Sequence, residues 1–356
     1  MTRTEQALSI LRKGTVIPAT PLALNADRSF YEKGQRLLMR YYLDCGVGGI
    51  ATAVHTTQFE IRQPEIALLE PVLRIVSEEI DRYEERTGKT IVRIAGCCGP
   101  TEQAVEEAKL ARSYGFDAVL LSPGGLNHQS EAYMIERTKA VAAEMPVIGF
   151  YLQEAVGGRV FTYDYWKQIA EIDHVVAIKC ASFNRYTTLD VVRAVATSSR
   201  WQDIALYTGN DDNIVVDLLT KYRFPMEDGS VREISFCGGL LGHWTMWSKA
   251  VAELFSKLCA AKSCDMLDAS LLSLAAQITD ANAVFFDSAH KFAGCIPGVH
   301  EVLRRQGLME GIWCLNPEET LSPGQSEEID RIYRMYPHLN DDAFVRAHLE
   351  QWKQDL

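Results

Sequence analysis

Residues 175–180, Val-Val-Ala-Ile-Lys-Cys, set one lysine inside an otherwise apolar run rich in β-branched residues. Such a run is short for a helix and reads as a strand buried on both faces. Working outward, similar runs recur at 15–20, 49–54, 90–95, 117–122, 146–151, 204–208 and 233–237. Amphipathic stretches separate them at 28–45, 101–114, 130–143, 162–171, 187–196, 213–222 and 244–258. In 101–114, Ala104, Val105, Ala108, Leu110 and Ala111 follow helical spacing and Gly115 is a stop signal. Eight strand-plus-helix units in roughly 245 residues predict an α/β fold, a (β/α)8 TIM barrel over 1–260. A doubly wound open sheet would favour a glycine-rich turn after the first strand, and residues 20–29, TPLALNADRS, are not one. Beyond the eighth unit, 263–286, 289–305, 327–334 and 341–353 read as helices around the Pro/Gly-punctuated segment 307–324. A C-terminal helical region, 261–356, is therefore expected to pack on the barrel, covering it or building an oligomer contact.

Composition narrows the class. Hydrophobic residues make up 47% and charged residues 23% of the 356 positions, which argues against disordered or collagen-like chains. The 47 acidic residues outnumber the 36 basic ones for a net charge of −11, which disfavours nucleic acid binding through a basic face. Nine cysteines occur without a CxxC pair, so neither a zinc ribbon nor a thioredoxin motif is supported. Free cysteines in apolar runs point to a reducing, cytoplasmic location. The N-terminus lacks the apolar core of a signal peptide. No uncharged apolar stretch of about 18 residues exists, so no membrane span is expected. The eight histidines show no HxH or HxxxH spacing, and no metal site is expected.

Chemistry in such a barrel gathers at the C-terminal ends of the strands. There, Lys179 is the unusual residue. A desolvated amine has a lowered pKa and is nucleophilic in its neutral form; the other reading is a rim lysine that snorkels to solvent or pairs with a carboxylate. Tyr151 ends the preceding strand, where a phenol can relay protons or simply pack against a loop. Cys97 and Cys98 read as strand-end packing, and Cys180 should face away from Lys179. Gly238–Gly242 fits a phosphate cradle or a tight turn equally well. Asp211 and Asp212 read better as caps of the next helix than as cation ligands.

Taken in order, these pieces resemble the dihydrodipicolinate synthase/N-acetylneuraminate lyase family of class I aldolases. The matching residues are Ala19-Thr20-Pro21, Thr56-Thr57, Tyr151, Val176-Ala177-Ile178-Lys179, Gly209-Asn210-Asp211-Asp212 and Ile234-Ser235. The resemblance spans about 14–305, and the lysine segment is its most specific piece. It implies that Lys179 forms a Schiff base with pyruvate or another 2-oxo acid and that Tyr151 donates and accepts protons. Thr56 and Thr57 would hold the carboxylate, and the Ile234 carbonyl would orient the lysine or substrate. Neither metal nor cofactor is implied. The expected partners are a small 2-oxo acid and an aldehyde, and the expected assembly is a homodimer or homotetramer.

The departures are specific. The family's Gly-Thr-Thr-Gly-Glu loop reads His55-Thr56-Thr57-Gln58-Phe59-Glu60, with both glycines gone. His55 either adds a donor or fills space. A family Pro-Tyr-Tyr reads Pro123-Gly124-Gly125, so dihydrodipicolinate synthesis itself is not expected. The turn after Tyr151 is replaced by 152–159, whose Arg159 either binds a second carboxylate or is a solvated loop arginine. The expectation is a Schiff-base lyase or aldolase. The alternatives are a non-catalytic or regulatory 2-oxo acid-binding relative and a phosphate-dependent barrel enzyme using 238–242.

Overall fold

The computed structural model describes residues 1–356. Eight parallel strands form the barrel: β1 (Val16–Pro18), β2 (Gly49–Thr52), β3 (Val92–Cys97), β4 (Ala118–Leu121), β5 (Val147–Leu152), β6 (Val175–Ala181), β7 (Ala205–Thr208) and the last barrel strand, β10 (Phe236–Leu241). The sheet order is β1-β10-β7-β6-β5-β4-β3-β2, and a parallel bridge between Ala19 and Ala51 joins the two ends. Between β7 and β10 lies an antiparallel hairpin, β8 (Tyr222–Pro225) and β9 (Val231–Ile234). Its turn contains Asp228-Gly229, with Gly229 at φ 81°, a conformation that favours glycine.

The hairpin changes the reading of 233–237. Its residues 233 and 234 pair across the hairpin, and the eighth barrel strand begins at Phe236. Two further elements were not foreseen. Helix α1 (Arg3–Lys13) is capped reciprocally by Thr2 and Glu5. Its Ala7 and Leu11 enter the barrel interior, and the Tyr207 hydroxyl donates to the Leu11 carbonyl at 2.7 Å. Helix α3 (Leu69–Thr87) follows the β2 loop.

The other barrel helices are α2 (Glu32–Asp44), α4 (Thr101–Ser113), α5 (Glu131–Ala142), α6 (Tyr163–Glu171), α7 (Arg185–Thr197), α8 (Ile214–Leu219) and α9 (Ser248–Lys262). Then come α10 (Ser270–Phe285), α11 (Cys295–Arg305), α12 (Gln325–Met335) and α13 (Asp342–Trp352). Strand alternation divides the core. Ile148, Phe150, Leu152, Ala177 and Ala181 face the barrel interior, whereas Tyr151, Ile178 and Cys180 join the larger layer under the helices. That outer layer continues into α10–α13, so the C-terminal helices share the barrel's hydrophobic core. No helix is long and apolar enough to cross a membrane.

Candidate active site

Lys179 projects inward from β6 at the C-terminal end of the barrel and is 9% exposed. Its strand neighbours in register are Phe150 on β5 and Tyr207 on β7. The Nζ atom lies 4.4 Å from the Phe150 ring centroid, a cation–π distance. Gly209 makes room on the other side: a Cβ there would sit 2.7 Å from Lys179 Cε. Burial lowers the amine pKa well below the ordinary lysine range, and the Asp211 charge partly opposes that shift. The Asp211 carboxyl shifts upward for the complementary reason, burial, against the pull of Lys179 and of backbone N–H groups.

Asp211 is held in place rather than used as a helix cap. Its Oδ1 accepts from the His243 N–H at 2.9 Å, and neither Asp211 nor Asp212 caps α8. Asn282 of α10 donates to the Asp211 carbonyl at 2.7 Å and bonds the His243 ring at 2.6 Å. The C-terminal helices thus fix the loop that carries Asp211. The same contacts decide the reading of 238–242. Gly238 and Gly239 lie within β10, where a Cβ would meet the Thr15 backbone or the Trp244 ring, and the turn's N–H groups serve Asp211. Close packing and carboxylate binding account for these glycines without a phosphate.

A cavity of about 80 Å³ surrounds the amine, bounded by His55, Thr56, Phe150, Gly209 and Asp211. Phe183, Phe286 and Phe292 roof it, and Phe183 meets Phe292 edge to face at 5.9 Å. Phe292 adopts a left-handed conformation (φ 68°) in a loop stapled by Asp287. That carboxylate accepts from the Ser322 hydroxyl and from the Gly294 N–H. Next to this cavity is a vestibule of about 530 Å³ lined by Glu60, Glu318, Glu319 and Lys291. Burial, with Glu60 nearby, pushes the Glu319 carboxyl up to about 7.

The β2 loop brings Thr56 and Thr57 to the site in unequal ways. Thr56 lines the cavity, and its hydroxyl donates to the Ala19 carbonyl at 2.9 Å. Thr57 is fully buried beneath it, its hydroxyl donating to the Thr20 carbonyl at 2.7 Å. Both hydroxyls are therefore committed to the segment just after β1, while the Thr56 N–H has no backbone acceptor. Gln58 stands where the resembled pattern has its second glycine and keeps a positive φ of 67°. Its Oε1 accepts from the Leu315 N–H at 2.6 Å, which ties the strained residue to the C-terminal region. A buried ion pair, Arg62 to Glu107 at 3.0 Å, ties the loop to α4, and Arg62 also donates to the Ala53 carbonyl and to the Gly96 carbonyl on β3.

Three expected site residues lie elsewhere. Tyr151 points out of the barrel and stacks on Trp166 at 5.4 Å, because an odd step along β5 turns it from the interior that Phe150 faces. The Arg159 guanidinium donates to the Gln129 carbonyl and covers the Phe161 ring at 5.0 Å, so it braces two loops outside the lysine cavity. Ile234 ends the hairpin, paired with Tyr222, whereas Gly238 occupies the register position level with Tyr207 and so with Lys179. Sequence reasoning gave too little weight to His55 and Asp211 and passed over Phe150. Strict alternation counted back from Leu152 selects Phe150. Cys97 is buried in the core and Cys98 is half-buried beside Glu107, where desolvation pushes its thiol up to about 11.

A closed (β/α)8 barrel with a desolvated amine at its mouth is a frame for amine nucleophile chemistry. The chain belongs to the Dihydrodipicolinate synthetase family, whose sequence model matches residues 13–221. Members of that family are class I aldolase-type lyases. Among curated relatives, a 4-hydroxy-tetrahydrodipicolinate synthase of Clostridium novyi is 26% identical over 181 residues, covering 50% of this chain and 56% of that one. One of Acetivibrio thermocellus is 29% identical over 134 residues, covering 37% and 43%. The alignment thus reaches only about half the length of these relatives. Among solved structures, the chloride-inhibited dihydrodipicolinate synthase of Acinetobacter baumannii complexed with pyruvate superposes with TM-score 0.71 at 20% identity, covering 93% of this chain and 99% of that one. An N-acetylneuraminate lyase of Fusobacterium nucleatum gives 0.68 at 16%, covering 91% and 99%. At those identities the superpositions establish the TIM barrel.

Proposed function

We propose that this protein is a Schiff-base-forming lyase or aldolase acting on pyruvate or another 2-oxo acid. The observation that carries this reading is Lys179, the one amine that lines the small cavity at the barrel mouth. Burial favours its neutral form, and Asp211 is the carboxylate placed to accept the proton it sheds. The neutral amine adds to the keto carbon, and loss of water leaves an iminium. That iminium is an electron sink, so a bond to the neighbouring carbon can form or break through an enamine. This chemistry asks for no metal and no cofactor. The Thr56 N–H supports binding of the substrate carboxylate, and the bound pyruvate of the Acinetobacter baumannii relative agrees with that substrate class.

The vestibule is the natural place for an aldehyde partner. Its carboxylates and the Pro123-Gly124-Gly125 segment support a reaction other than dihydrodipicolinate synthesis. We further propose a cytoplasmic homodimer or homotetramer. The test is incubation with pyruvate and borohydride followed by peptide mass spectrometry. The expected result is a reduced adduct on Lys179; its absence with pyruvate and with a panel of 2-oxo acids sinks the proposal. A second reading, a non-catalytic 2-oxo acid-binding relative, is favoured by the hydroxyl-free Phe150 beside the amine. Thermal stabilisation by a 2-oxo acid without any turnover selects that reading.

A further inference from the structure

The amine is flanked by a phenyl ring rather than a phenol, and Tyr151 is sealed under α6, so the lysine cavity contains no tyrosine hydroxyl. Schiff-base chemistry still needs a group that moves a proton at the carbon beside the iminium. Three other titratable side chains line that cavity: His55, Asp211 and Cys295. Asp211 faces the amine and is tied down by backbone N–H groups, and burial holds the Cys295 thiol protonated. His55 differs from both. It lines the lysine cavity and the vestibule alike, and no other titratable residue does so. Its ring nitrogens make no hydrogen bond within the chain, while its ring packs beside Phe59 at a centroid distance of 6.1 Å.

We infer that His55 is the proton carrier of this active site, moving one proton between the lysine-bound 2-oxo acid and the second substrate. The inference rests on the Schiff-base reading above. In the direction of addition, a neutral His55 ring nitrogen removes a proton from C3 of the iminium, and the C–H electron pair becomes the enamine double bond. The enamine carbon then bonds to the aldehyde carbon, the carbonyl electron pair moves to oxygen, and the imidazolium returns its proton to that oxygen. Cleavage runs the same steps backward. Proton and charge balance without any further reagent. The ring's protonation state agrees: burial and the Lys179 charge hold its pKa down at about 4, so it is a free base at neutral pH.

The test separates this step from Schiff-base formation. The protein is incubated with pyruvate in D2O, deuterium entry at C3 is followed by NMR, and parallel samples are trapped with borohydride. Wild type is expected to form the adduct and to exchange. His55→Gln should form the adduct to a similar extent while exchange slows about 100-fold or more, the lower range for a lost general base. His55→Gln/Phe150→Tyr, which introduces a hydroxyl beside the amine, should regain part of that rate. Exchange in His55→Gln within about threefold of wild type overturns the inference, as does loss of the adduct itself, which would mark a binding role. If His55→Gln does not fold, His55→Asn is read in the same assay and by the same limits. A wild type that forms no adduct overturns the Schiff-base reading, and with it this step.

Discussion

At the barrel floor, Asp117 accepts from Arg3 at 2.6 Å and from the Arg93 N–H at 2.9 Å. Arg3 and Arg93 both reach Glu84, and Arg3 also donates to the Ile91 carbonyl. At the mouth, Lys179 faces an aromatic ring, His55 has no hydrogen-bond partner, and Gln58 Nε2 is buried without an acceptor. Both ends bury charge: at the floor Arg3 and Arg93 share carboxylates with only Arg93 Nε left over, whereas at the mouth Asp211 is held by backbone N–H groups while the Lys179 amine and the His55 ring make no hydrogen bond. A paired floor holds the strands in register. A mouth whose amine and imidazole make no hydrogen bond is where a functional site is expected in such a barrel. Volume alone does not make this distinction: a concavity of about 660 Å³ beside the ends of α5 and α6 on the floor side is lined by Lys139, Lys167 and His174, but all three are exposed, Lys139 pairs with Glu136 and the His174 ring bonds the Ala142 carbonyl.

Removing one buried charge at each end tests the contrast. Lys179→Met should abolish the borohydride adduct entirely. Its stability should stay within about 1 kcal/mol of wild type, because the partner Asp211 can take up a proton instead of remaining charged. Asp117→Ala should do the reverse. It strands the Arg3 and Arg93 groups around a fully buried side chain, for a loss of about 3–5 kcal/mol in urea unfolding, with the adduct retained below the transition. A Lys179→Met protein that still traps pyruvate, or an Asp117→Ala protein as stable as wild type, breaks the comparison.

Legibility in the sequence follows the same division. The barrel could be read because parallel strands covered on both sides are continuous apolar runs, and seven of the eight lie within two or three residues of their expected places. The eighth was displaced because Val231–Ile234 has the same β-branched character as a barrel strand, and only its pairing with Tyr222–Pro225 reveals a hairpin. Lys179 stood out as a charge in an apolar run. The rest of the site depends on direction more than residue type. One residue of register turns Tyr151 away and Phe150 inward, and no composition rule gives that register. The placement of Asp211 needs Asn282, 71 residues further on, a contact made only in three dimensions.

Acid provides a milder test. His243 and His300 are buried and His55 is half-buried, and desolvation holds each at about 4 against an ordinary 6.5. Between those values the unfolded chain binds protons that the folded one refuses. Stability therefore falls as pH drops from about 6.5 toward 4, by roughly 1 kcal/mol for each imidazole at pH 5.5. Urea midpoints across that window measure the slope, and His55→Gln should make it shallower by one imidazole's share. An unchanged slope would mean that His55 is already solvated in the native protein.

The smallest effect is the most discriminating. Tyr151→Phe removes a hydroxyl from the layer between β5 and α6, where the ring stacks on Trp166 and meets Phe161 at 6.2 Å. The ring packing survives the change, so deuterium exchange at C3 of pyruvate should stay within about twofold of wild type. Tyr151 lies one residue from the end of β5, where the resembled family pattern leads one to expect the proton-transferring phenol, yet its neighbour Phe150 faces the amine. A Tyr151→Phe protein that forms the adduct but loses exchange would show that β5 shifts register in the working enzyme and brings the phenol to the lysine. Retained exchange leaves the proton to the other side of the cavity, where His55 borders both substrates' space.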